Sequence, residues 1–172
     1  IRLNPTNVFS LDRSKNENNF ENGLSATVGF DYEMTNKEKQ FALSVGQIIN
    51  EKENKKMGSK SSLDEKISDL AGIATFKANE KLSFNYNFSL DQNYSELNYN
   101  EISTVVNLDY INFNFDYLQE KKHIGNNEYF KTKINYTKND GIYSFQTKRS
   151  LVTNSAEYYD LSYEYLNDCL RA

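Results

Sequence analysis

The 172-residue sequence has no tryptophan, one proline, one cysteine and one histidine. The lone cysteine, Cys169, cannot close a disulfide within the chain, so its thiol is either free or paired with a partner elsewhere. With His123 as the only histidine, a zinc site lacks its usual ligands, and the setting Lys121-Lys122-His123 marks that residue as part of a loop. Pro5 precedes every candidate strand, where its missing N–H interrupts no ladder. No stretch approaches the roughly 18–20 apolar residues that a helix needs to cross a bilayer. Twenty basic against twenty-four acidic side chains give a net charge of −4, which leaves no basic face for nucleic acid. No glycine-rich phosphate loop and no Gly-x-Ser-x-Gly elbow is present, so neither an enzyme nor a cofactor is expected. Asp91, Asn93 and Ser95 begin like a calcium loop, but Glu96 stands where its glycine belongs and Ile102 where its final glutamate belongs. No signal peptide can be read ahead of Ile1, and the start inside a plausible loop is read as truncation.

What is present is alternation. Leu82, Phe84, Tyr86, Phe88 and Leu90 interleave with Ser83, Asn85, Asn87 and Ser89, and Ile111, Phe113, Phe115 and Tyr117 with Asn112, Asn114 and Asp116. Strand side chains point to opposite faces with period two, so each such segment has one apolar and one polar face. The pattern predicts strands over 22–33, 39–49, 65–77, 81–90, 96–108, 111–121, 128–138, 142–151 and 155–166, with a weaker one around Val8–Leu11. Connections alternate in length. Short ones hold Thr35-Asn36-Lys37, Asn79-Glu80 and Asn139-Asp140-Gly141; longer ones run 12–21, 50–64, 91–95 and 121–127. Short turns at one end and long loops at the other are the habit of outer-membrane barrels, whose strands are about nine to eleven residues long.

The face assignment separates Leu24, Val28, Phe30 and Tyr32 from Ser25, Thr27, Gly29 and Asp31, and Tyr159, Leu161, Tyr163 and Tyr165 from Asp160, Ser162 and Glu164. Likewise Phe130, Ile134 and Tyr136 oppose Lys131, Lys133 and Asn135. Mean hydropathy is −0.77, low for a packed core but natural for a sheet that is apolar outside and wet inside. Arg149 falls on the apolar phase, tolerable only near a membrane interface. Tyr32, Tyr94, Tyr143 and Tyr165 are candidates for an interfacial girdle. Two readings of the alternation stay open: a membrane barrel, either a translocon or another barrel such as a porin or receptor, and a soluble lipocalin-like barrel with an apolar ligand in its interior.

Several segments resemble a known family. Asn7-Val8-Phe9-Ser10-Leu11-Asp12-Arg13, Gly46-Gln47-Ile48, the run from Ser62 to Gly72 and the ending Asn167-Asp168-Cys169-Leu170 are similar to the C-terminal barrel of the lipopolysaccharide-assembly outer-membrane proteins (LptD, also called OstA). The resemblance implies an all-β, antiparallel transmembrane barrel segment of about nine strands from a larger barrel, an open curved sheet when taken alone, in the cell outer membrane. It divides the chain into an extracellular loop at 1–21, barrel strands at 22–166 and a periplasmic tail at 167–172. The implied partners are lipopolysaccharide, outer-membrane lipids, a plug lipoprotein of the LptE kind and periplasmic jelly-roll bridge proteins. The last strand would form one side of a lateral gate, with Tyr158, Asp160, Ser162 and Glu164 toward the lumen. Cys169 would pair with a cysteine of a periplasmic domain. Lys52, Lys55, Lys56 and Lys60 are candidates for contacts to lipopolysaccharide phosphates, a solvated loop being the simpler reading.

Overall fold

Alternating sequence becomes one continuous meander. The computed structural model describes residues 2–10 and 23–165. Nine strands follow in order: β1 (Ser25–Asn36), β2 (Lys39–Asn50), β3 (Leu70–Asn79), β4 (Leu82–Leu90), β5 (Leu97–Asn107), β6 (Ile111–Glu120), β7 (Asn127–Lys138), β8 (Gly141–Ser150) and β9 (Ser155–Tyr165). Each pairs antiparallel with its sequence neighbour, and among the described residues β1 and β9 are the two edges of an open sheet. Among the described residues the only helical piece is a 3₁₀ turn, Ser59–Ser61.

Connection lengths alternate as expected. Residues 37–38, 80–81, 108–110 and 139–140 make tight turns at one end, while 51–69, 91–96, 121–126 and 151–154 make the loops at the other. In the first and last tight turns the positive φ falls on Lys37 (55°) and Asn139 (51°). Gly141 opens β8 instead of serving the turn, and the space its missing side chain leaves is taken by the Tyr163 ring, 2.9 Å from where a Cβ would stand. Asn79 closes its own turn by accepting from the Lys81 and Leu82 N–H groups at 2.8 and 3.0 Å.

Two expectations need correction. The strand predicted from 65 starts at Leu70, because Ile48 N–H donates to the Ser68 hydroxyl at 2.9 Å instead of to a ladder carbonyl. Only Ile67 touches the ladder there, in a single bridge to Ile49. The weak strand around Val8–Leu11 does not form over its described residues. Residues 5–9 turn instead, since Asn4 accepts from the Thr6 and Asn7 N–H groups at 3.0 Å in an Asn-Pro-Thr-Asn turn.

Register fixes the faces. Phe84, Tyr86, Phe113, Phe115, Leu161 and Tyr163 all lie on one side, opposite apolar partners such as Phe76, Ile102, Val106, Phe145 and Tyr143, with Thr104 between Phe84 and Phe115. Aromatic pairs knit this side together, including Tyr86–Phe88 at 5.4 Å and Phe115–Phe130 at 6.4 Å between ring centroids. Thr27, Asp31, Ser44, Asn85, Asn87, Asn114, Lys131, Lys133, Gln146 and Asp160 share the other side. The apolar side chains do not converge on a closed interior: Leu161 is 79 % exposed and Tyr159 70 %. Among the described residues the sheet does not close around these side chains, as a lipocalin-like barrel with an apolar interior requires. Among the described residues the buried apolar cluster is small, Leu3, Val8, Ile48, Met57, Leu63 and Ala71, and it sits on the polar side at the loop end.

Candidate functional site

The polar face is not bare at its loop end. Residues 2–10 form a strap across it, anchored at two points. At one, the Arg2 guanidinium lies over the Tyr99 ring of β5, 3.5 Å from its centroid. At the other, Val8 and Phe9 rest on a pair of glycines, Gly29 and Gly46, directly opposite each other in the β1–β2 register. A Cβ on Gly46 would meet Val8 at 2.6 Å, and one on Gly29 would meet the Phe9 ring at 2.3 Å. Only glycine leaves the backbone open to such close approach. Thr27 donates its hydroxyl to the Val8 carbonyl at 3.4 Å. Beside the strap lies a cleft of about 610 Å³ lined by Pro5, Thr6, Asp31, Ser44, Ile73 and Thr75.

Residues 51–69 fold over the same end, burying Met57, Ser62 and Leu63 and turning their lysines outward. Asp69 joins this cap to the strands. It is 1 % exposed. Asn98 donates its side-chain amide to one carboxylate oxygen at 2.9 Å and Ser89 its hydroxyl at 3.4 Å, while the Lys122 ammonium holds the other at 3.3 Å. The β4–β5 register shifts beside Asn98, pairing Leu90 with Leu97 after Ser89 with Tyr99, and this turns the Asn98 amide onto Asp69. Lys122 also reaches Glu65 at 3.8 Å. Desolvation pushes the Glu65 carboxyl up from its ordinary value, partly offset by Lys122. Next to Lys122, His123 has both ring nitrogens buried without a hydrogen-bond partner. Burial holds its pKa below the usual 6.5, opposed by Glu120 and Asp69.

The calcium-like loop has a local explanation. Asp91 accepts from the Ser95 and Glu96 N–H groups at 2.6 and 2.9 Å and from the Ser95 hydroxyl at 3.0 Å. These bonds, that from Glu96 foremost, hold its carboxyl below the usual range. Among the described residues no group of three or more His, Cys, Asp or Glu side chains is placed to hold a metal ion.

Of the residues singled out by sequence, Tyr158, Asp160, Ser162 and Glu164 lie together on the polar side of β9, opposite Lys148, Gln146, Ser144 and Ile142. Gln146 donates to the Tyr158 hydroxyl at 2.7 Å. Lys52, Lys55, Lys56 and Lys60 are all exposed on the outer side of the cap. Cys169 lies outside the described residues. Arg149 is at the loop end, where its guanidinium donates to Asn154 at 2.6 Å. Among the girdle tyrosines, Tyr94 stands at the loop end, its hydroxyl donating to Gln47 at 2.8 Å, and Tyr143 and Tyr165 at the tight-turn end. Tyr136 and Tyr163 flank Tyr143 at 6.2 and 4.8 Å, a cluster that strand propensity alone does not foretell. Sequence reasoning also missed Asp69, which it had placed inside a strand, and the strap, whose only local signal is Asn4-Pro5-Thr6-Asn7.

A family model described as LptD: LPS transport system D matches residues 1–149 of the 172. The match takes in the strap, the cap, β1 to β7 and β8 but for its last residue, and stops before β9. Among curated proteins none matches the chain. The two-faced meander and a family match over most of its length agree: the chain belongs to the LptD family of lipopolysaccharide-transport proteins.

Proposed function

We propose that this chain is the C-terminal portion of the outer-membrane barrel that inserts lipopolysaccharide into the outer leaflet. The observation that supports this most is the sorting of nine consecutive strands into a wet face and an apolar face, with every long loop at one end. The apolar face meets lipid, the polar face lines the lumen, and the capped end faces the cell exterior. Family membership supports lipopolysaccharide as the cargo. In this reading a plug lipoprotein and a periplasmic bridge of jelly-roll domains complete the machine, and the lysines of the cap, Lys52, Lys55, Lys56 and Lys60, meet lipopolysaccharide phosphates outside.

β9 is assigned as one side of the lateral exit. Among the described residues no strand pairs with its outer edge, which in this reading meets the first strand of a complete barrel, and each ladder bond there adds only about 0.5–1.5 kcal/mol net, so a short seam can open. Photo-crosslinkers at Tyr158, Asp160 or Ser162 in the full-length protein should capture lipopolysaccharide in transit, with Phe113 on the apolar face as the control. Equal capture at both places would remove β9 from the exit. A porin or receptor would yield no lipopolysaccharide adduct that depends on ongoing transport.

A further inference from the structure

The polar face carries two lysines that, among the described residues, none of its carboxylates approaches within ion-pair distance. In the β7–β8 register Lys131 stands directly opposite Lys148, and Lys133 lies one place further along the same face opposite Gln146. Side chains paired in this way are about 5 Å apart at Cβ, and like charges so placed oppose pairing. Lys148 is answered by Glu157 at 2.7 Å and by the Tyr129 ring at 4.2 Å. Lys131 and Lys133 have no ion pair within 4 Å among the described residues, although Asp116 sits across from Lys131 on β6 and Asp160 across from Gln146 on β9. The remaining neighbours are amides: Asn114 opposite Lys133, and Asn135 two residues on, whose side-chain oxygen is buried with no partner. Lys133 and Asn114 fall in the middle of β7 and β6, while Lys148, Glu157 and Tyr129 lie nearer the loop end. Three lysines and three carboxylates share this patch, yet among the described residues only Lys148 and Glu157 close an ion pair, and a like-charge pair such as Lys131–Lys148 is a local conflict of the kind kept at binding sites.

We infer that Lys131 and Lys133, with Asn114 and Asn135 beside them, form a binding site for a phosphorylated saccharide on the polar wall. The two ammonium groups take the phosphate oxygens by charge-assisted hydrogen bonds, and the Asn135 carbonyl oxygen takes a sugar hydroxyl. The inference rests on the polar face being the lumen that lipopolysaccharide passes, and it names the part of the cargo that this wall holds.

The test uses the full-length protein in its membrane, with a photo-crosslinker at Asn114. Capture of lipopolysaccharide should fall at least fivefold in Lys131→Gln/Lys133→Gln and should recover in Lys131→Arg/Lys133→Arg. Enzymatically dephosphorylated lipopolysaccharide should be captured as weakly by the native protein as by the Gln variant. Because that variant removes repulsion, its thermal unfolding temperature should be unchanged or higher, which separates lost binding from lost folding. Capture that ignores both the lysines and the phosphates, while a probe at Tyr158 still captures cargo, overturns the site and leaves the transport reading standing. No capture at either probe removes the transport reading and the site with it. Displacement by inorganic phosphate, with no difference between phosphorylated and dephosphorylated cargo, assigns the site to a free anion and overturns the saccharide.

Discussion

The Asp69–Lys122 pair holds the cap on the barrel, and its two halves should not be equivalent. Asp69 is 1 % exposed at its side chain, whereas Lys122 is 22 % exposed and keeps Glu65 as a second partner at 3.8 Å. Converting Asp69→Asn retains the volume and one acceptor for Asn98, and frees an ammonium that can reach water. A hydrogen bond to a charged group is worth about 1.5–3 kcal/mol, so a loss of about 2 kcal/mol is expected. Converting Lys122→Met leaves the buried carboxylate with only Asn98 and Ser89, and breaking a buried pair that way costs about 3–5 kcal/mol. The double variant should be less damaged than the sum by about 1.5–3 kcal/mol, the coupling expected of a charged hydrogen bond between contacting groups. Hydrogen exchange of amides in 48–69 is the direct readout, since Ile48, Asn54, Ser68 and Asp69 N–H groups are all bonded within the cap. At about 1.4 kcal/mol per tenfold, Asp69→Asn should speed that exchange by roughly 30-fold and Lys122→Met by more, with β6 and β7 unaffected. Strictly additive effects, or a cap indifferent to Lys122→Met, would refute the reasoning.

Other consequences are as specific. His123 is held neutral by burial, so the unfolded chain binds its proton first; its contribution is complete above about pH 6.5 and is lost as pH falls from there through the lowered folded value. Urea unfolding should therefore weaken between pH 7.5 and 5.5, and His123→Gln should flatten that slope. Gly46→Ala should cost about 1–3 kcal/mol by overpacking against the buried Val8 and expose residues 2–10 to protease, whereas Gly58→Ala, with nothing within 4 Å of its Cβ position, should be silent. On the apolar face, Phe115→Lys should cost about 2–4 kcal/mol in a bilayer, read by urea titration of the barrel in vesicles, while Asn85→Lys on the polar face, opposite Thr75 and Ser103, should cost little. Cys169→Ser should shift the mobility of the full-length protein on non-reducing gels if that thiol is paired.

Strand positions and faces were legible because period two is a local property. Each of Phe84, Tyr86, Phe113 and Phe115 declares its side through its immediate neighbours. The turn at Lys37 was legible from polarity, yet at 139–141 the positive φ falls on Asn139 and not on the glycine, because Gly141 is needed for the Tyr163 ring. What stayed hidden depends on distant partners. Asp69 meets Lys122 across 53 residues, and nothing near it separates a hub from another polar strand position. The stretch 65–69 alternates acceptably and still leaves the ladder, since the Ser68 hydroxyl displaces a carbonyl. Gly29 and Gly46 gave their face but not their purpose, which appears only when Val8 and Phe9 are laid over them. Lys131 and Lys133 were assigned to the wet side by pattern; that among the described residues they close no ion pair, although Asp116 stands across from Lys131, required the structure.

The central claim is that one face of this sheet meets lipid and the other water, and β6 tests it residue by residue. Single cysteines placed at 112 to 117 in a full-length Cys169→Ser background, reconstituted in bilayers, can be probed with a membrane-impermeant maleimide. The account predicts fast labelling at 112, 114 and 116, where Asn112, Asn114 and Asp116 stand, and protection at 113, 115 and 117, where Phe113, Phe115 and Tyr117 stand. Uniform labelling, or protection on the even positions, would contradict it.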